Sequence, residues 1–134
     1  MNGHWLTIKQ QNNKEYSGYL SLPPSGSGPG LILIQEIWGV NAHIQAVADQ
    51  YALAGYVVLA PDIFWQLEHR VNLDYDDGGN QQAFSLYGNL NFADAAEHLV
   101  DAVSTLRALP SVTAKVGVVG FCMGGQLAFR AAAL

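Results

Sequence analysis

A β-branched run, Val116-Gly117-Val118-Val119, feeds Gly120-Phe121-Cys122-Met123-Gly124-Gly125, and a helix-forming stretch, Gln126-Leu127-Ala128-Phe129-Arg130-Ala131-Ala132, follows at once. No other feature restricts so tightly what this chain can fold into. Strand, glycine-bounded turn and helix in immediate succession make a sharp reversal, and small residues are needed where its backbones approach each other. The central side chain, Cys122, then stands at a strand end and before a helix N-terminus. The N–H groups and positive dipole end of that helix favour a thiolate and a developing oxyanion. The same six residues also read as a small apolar cysteine behind a buried strand, and alone they leave both readings open. They form no Gly-x-Gly-x-x-Gly fingerprint, and Gln126 stands where a phosphate-binding loop needs lysine.

The rest of the chain supplies a frame for this turn. His4 to Lys9 and Glu15 to Leu22 alternate as two strands of a hairpin around the polar stretch 10–14. Pro23 to Gly30 is a loop by composition, and Leu31 to Gln35 is a continuous apolar run suited to a strand buried on both faces. Asn41 can cap a helix that carries Ile44, Val47, Ala48 and Tyr51 on one face and ends at Gly55. Tyr56 to Ala60 is a further buried strand, stopped by Pro61. Residues 62–80 read as irregular, Gln81 to Tyr87 as a short helix, and Asn91 as the cap of a long helix that ends before Pro110. A hairpin followed by alternating strands and helices predicts a mainly parallel sheet with helices on both faces. Ligands of such sheets bind at the carboxyl ends of the strands, where both Glu36 and Cys122 fall.

With half its 134 residues apolar and 13% charged, the chain is expected to fold as one domain. Its net charge is −5 and its six basic residues are scattered, which argues against nucleic acid. The apolar runs are strand-sized, so no membrane span is expected. The N-terminus lacks the pattern of a signal peptide. One cysteine makes no internal disulfide, and a reducing cytoplasm fits it. The histidines lack ligand spacing and there is only one thiol, so no metal site is expected.

Three motifs together resemble the dienelactone hydrolase family, a cysteine-using branch of the α/β-hydrolase fold. They are Gln35-Glu36-Ile37-Trp38-Gly39-Val40-Asn41, then Gly55-Tyr56 with Ala60-Pro61-Asp62, then Lys115 to Gly125. The resemblance implies hydrolysis of a small ester or lactone with Cys122 as nucleophile and a thioester intermediate. It implies an oxyanion hole from the backbone N–H groups of Ile37 and Met123. It also makes Glu36 the group that helps deprotonate the thiol, a role that partial desolvation at an apolar strand end would strengthen.

The family's aspartate and histidine lie beyond the twelve residues that follow Cys122. The chain is therefore expected to be the N-terminal portion of an α/β-hydrolase, a single truncated domain over 1–134 with impaired turnover. An uncapped end in Ala131-Ala132-Ala133-Leu134 agrees with that expectation. His4, His43, His69 and His98 are read as surface or rim residues. The strand before Cys122 would then be an apolar edge, which predicts self-association. Among substrate contacts, Asn80 falls where the family carries a carboxylate-binding arginine, which puts an anionic lactone in doubt. Arg70 could compensate from the same loop. Trp38, Trp65, Phe84 and Tyr87 are candidates for an apolar acyl pocket. Two rivals stand beside the hydrolase: a non-catalytic binding or assembly module on the same fold, and a redox-sensing thiol, for which no resolving cysteine exists.

Overall fold

The structure is a computed structural model that describes residues 3–10, 12–121 and 123–132. The elements in order are β1 (His4–Lys9), β2 (Glu15–Ser21), β3 (Gly28–Ile34), α1 (Ala42–Leu53), β4 (Val57–Pro61), α2 (Asp77–Asn89), α3 (Phe92–Arg107), β5 (Val112–Gly120) and α4 (Met123–Ala132). They build one five-stranded sheet in the order β1-β2-β4-β3-β5.

The expectation of a mainly parallel sheet is corrected. β1–β2 and β2–β4 run antiparallel, and β4–β3 and β3–β5 run parallel, so the sheet is evenly mixed. The physical reason is the docking of the hairpin. β2 does not stop at its partner β1 but pairs through Gly18–Ser21 with β4, which carries the antiparallel half into the middle of the sheet.

Alternation along the central strands divides the core into two layers. Ile32 and Ile34 of β3 and Val57 and Leu59 of β4 face α3 and α4, with Leu99, Leu106 and Leu127. Leu33, Val58 and Ala60 face the other way, against Ile44, Ala48 and Ala52 of α1. Burial on both faces is why these strands read as unbroken apolar runs.

Side-chain caps fix the helix starts. Asn41 accepts from the Ile44 N–H at 3.1 Å, Asp76 from Gly79 at 2.7 Å, and Asn91 from Asp94 at 3.1 Å. The second of these starts α2 at Asp77, four residues before the expected Gln81.

Candidate active site at the carboxyl ends of β3 and β5

The β5–α4 join is built on two glycines. A Cβ on Gly120 would overlap the Gly124 carbonyl, so the last residue of the strand lies against the first turn of the helix. A Cβ on Gly124 would sit 2.8 Å from the carbonyl oxygens of both Ile34 and Gln35. The start of α4 is thus pressed against the end of β3. Cys122 lies outside the described residues. Its neighbours bracket the position: Phe121 is 48% exposed, and Met123, the buried first residue of α4, is 3% exposed. As a first-turn residue, Met123 has a backbone N–H with no partner inside the helix.

The turn after β3 carries the other candidates. Glu36, Ile37 and Trp38 are each half-buried. Gly39, at φ +85°, closes the turn by donating to the Glu36 carbonyl at 3.2 Å, and a Cβ there would overlap the Val71 carbonyl. The segment after Val71 is tied to this turn: Leu73 N–H donates to the Trp38 carbonyl at 3.1 Å, and Asn41 Nδ2 donates to the Tyr75 hydroxyl at 3.0 Å. Trp38 packs edge-on to Tyr75 at 4.8 Å, and its indole Nε1–H donates to Asn80 Oδ1 at 2.9 Å. Asn80, Phe84 and Tyr87 recur at helical spacing on one face of α2. Phe84 is 63% exposed, whereas Tyr87 packs on Phe92 at 5.8 Å and against the core.

Other residues singled out in the sequence sit elsewhere. Trp65 stacks on Tyr16 at 5.4 Å and donates its Nε1–H to His98 Nδ1 at 3.3 Å. Arg70 lies over the Trp5 ring at 4.5 Å and against Ser17, on the hairpin side of the sheet. His98 is not a rim residue: it is 8% exposed, and burial holds its pKa below the ordinary histidine value. His4, His43 and His69 are exposed; His43 alone lies beside the site, with its ring 6.4 Å from Tyr75.

Two buried polar side chains stand in the quoted motifs without a role, because nothing in their own neighbourhood in sequence shows what they bond. Gln35, fully buried, accepts from the Ile63 N–H at 2.9 Å and donates to the Glu36 carbonyl at 3.1 Å, which staples the ends of β3 and β4. Asp62, also fully buried, accepts from the Arg70 N–H through Oδ2 at 2.6 Å, while Oδ1 has no partner. Desolvation pushes its pKa up to about 6, against the opposing pull of that hydrogen bond. The folded state therefore holds this proton more tightly than the unfolded chain. Between about pH 4 and pH 6 the Asp62 contribution to stability falls as pH rises, by about 3 kcal/mol over the window. His98 acts in the opposite sense, losing stability as pH falls through its own range. Asp62→Asn is expected to flatten the acid-side slope, which shows as the difference between wild-type and variant denaturation midpoints at pH 4.5 and pH 7.

A mixed sheet flanked by helices, with a glycine-bounded strand-to-helix turn at its carboxyl end, has the architecture of an α/β-hydrolase. The chain belongs to the dienelactone hydrolase family, whose model matches residues 16–134. It is 31% identical over 129 residues to carboxymethylenebutenolidase 1 of Cupriavidus pinatubonensis, covering 96% of this chain and 55% of that protein. It is 30% identical to the carboxymethylenebutenolidase of Pseudomonas sp. strain P51, covering 96% and 54%. A solved structure from Klebsiella pneumoniae subsp. pneumoniae MGH 78578 superposes with a TM-score of 0.81 at 25% identity, over 98% of this chain and 54% of that one.

The extent of these matches corrects the expectation of a likeness confined to an N-terminal portion: family model and superposition run over nearly the whole chain. The chain spans about half the length of the curated relatives it matches. Among the described residues, no helix is long and apolar enough to cross a membrane, and no group of three or more His, Cys, Asp and Glu side chains could hold a metal.

Proposed function

We propose that residues 1–134, as one domain, hydrolyse small carboxylic esters or lactones through Cys122, the reaction class suggested by the names of the carboxymethylenebutenolidase relatives. The observation that carries the reading is the close approach of Gly124 to the Ile34 and Gln35 carbonyls, which sets the N-terminus of α4 beside the Glu36 turn. In this mechanism Glu36 takes the thiol proton. The Cys122 thiolate attacks the acyl carbon, and the backbone N–H groups of Ile37 and Met123 hold the oxyanion. The S–C bond forms as the alcohol or enolate leaves. Water then cleaves the thioester, giving the carboxylic acid and the free thiol. Trp38, Asn80, Phe84 and Tyr87 line the acyl side. The chemistry needs no metal or cofactor, and a thiol nucleophile suits a reducing cytoplasm.

Deacylation is the slow step in this reading. His98 is tied to Trp65 in the core, His4 lies in β1 and His69 packs beside Trp65, while His43 meets the site only through the Tyr75 ring at 6.4 Å. Rapid mixing with p-nitrophenyl acetate tests it. The expected result is a burst approaching one p-nitrophenol per chain, followed by much slower release. Linear release without a burst would contradict the acyl-enzyme scheme, and no release would favour a non-catalytic binding module.

Self-association belongs to the same proposal. Among the described residues β5 pairs with β3 alone. An apolar groove of about 440 Å³ runs beside it between α3 and α4, lined by Val100, Val103, Val116, Val118 and Ala128. An unpaired strand edge with an apolar flank invites a second copy, which light scattering at micromolar concentration detects.

A further inference from the structure

We propose that this site takes uncharged acyl groups in preference to those that carry a carboxylate. The inference rests on the reading of the Glu36 turn as an ester site. Recognition of a substrate carboxylate needs a cation or a charged fork of donors. The chain has six lysines and arginines, and none stands at this turn. Arg70 is held over Trp5, and Arg130 lies 6.0 Å from the Phe92 ring. Lys14 lines a cleft between the β1–β2 turn and α3. Lys9 lies opposite Glu15 in the hairpin register, at the far edge of the sheet from β5. Arg107 is in the last turn of α3, and Lys115 is in the half of β5 remote from Gly120.

The groups that do stand at the turn are neutral or negative. Asn80 spends its Oδ1 on the Trp38 indole, which leaves only a neutral N–H donor. That donor can orient a carbonyl or ether oxygen but supplies no charge. The segment docked on the turn through Leu73 and Tyr75 continues into Asp74, Asp76 and Asp77, and Glu36 adds a fourth carboxylate. Negative charges on and beside this turn repel an anion before it docks, and the effect weakens with salt. His43 lies beside the site, its ring 6.4 Å from Tyr75, and the comparison is run at pH 8.

The test compares acylation of Cys122 by p-nitrophenyl hexanoate and by the mono-p-nitrophenyl ester of adipic acid. The two are matched in length and differ by one carboxylate; each rate is normalised to that with free cysteine. The expected preference for hexanoate is about tenfold or more at low salt, narrowing as salt rises. Asn80→Arg is expected to shift the ratio about tenfold toward the adipate ester. Asp74→Lys, which leaves the Trp38–Asn80 bond in place, is expected to shift it in the same direction by less. A normalised adipate rate equal to or above that of hexanoate in the wild type overturns the proposal, as does a ratio that neither variant moves. Should neither ester acylate the protein, the hydrolase reading falls on its own. Charge preference is then read from the Trp38 indole NMR signal during titration with hexanamide and with adipic acid monoamide: a shift with hexanamide alone upholds it, and any other pattern overturns it.

Discussion

Cys122→Ala is expected to abolish acylation by activated esters, with a fall of at least about a thousandfold in the burst rate. In a serine protease, loss of the nucleophile alone costs on the order of a million-fold. The measured loss here is bounded by background acylation of lysines. The chain has a single cysteine, so no second thiol can take over. The substitution removes only the sulfur and keeps a small side chain, so folding should be retained, and circular dichroism checks that. If the thiol were an inert small hydrophobe behind a strand, the variant would match the wild type with every ester.

Gly124→Val is expected to damage the fold at the join between α4 and β3. A Cβ at this position meets two backbone carbonyl oxygens at 2.8 Å and the Ile34 Cγ2 at 3.2 Å. Backbone oxygens in a central strand cannot swing aside as a side-chain tip can. Relief requires α4 to move off β3, which opens the core around Met123 and Leu127. Overpacking of this kind costs about 3 kcal/mol, and a chain of this size loses on the order of 10 °C in Tm for it. The control is Gly88→Ala in α2, where a Cβ meets nothing within 4 Å. That change is expected to leave Tm unchanged or raise it slightly, because alanine restricts the unfolded chain and favours the helix. Equal losses at both positions would remove the argument from close approach.

Local signals carried much of the frame. The apolar runs of β3 and β4 were legible because burial on both faces leaves no polar alternation, and Asn41 and Asn91 announced their helices through cap chemistry. What escaped was set by partners distant in sequence. The pairing of β2 with β4 joins residues about forty apart and reverses the expected balance of the sheet. The start of α2 was obscured because Asp77-Gly78-Gly79 has poor helix propensity, and the Asp76 cap overrides it. His98 looked like a rim residue because its position on α3 does not reveal Tyr16, whose hydroxyl donates to the His98 carbonyl, or Trp65. In the candidate site the motif turns were readable. The Trp38–Asn80 hydrogen bond was not, since it joins the β3 turn to a helix forty-two residues away.

Intact mass of the protein after brief exposure to p-nitrophenyl acetate, with peptide mapping of any adduct, tests the central claim most directly. The account predicts one acetyl group per chain, carried by the peptide that contains Cys122 and absent from Cys122→Ala. An unmodified wild type, or an adduct that survives in Cys122→Ala, would contradict it.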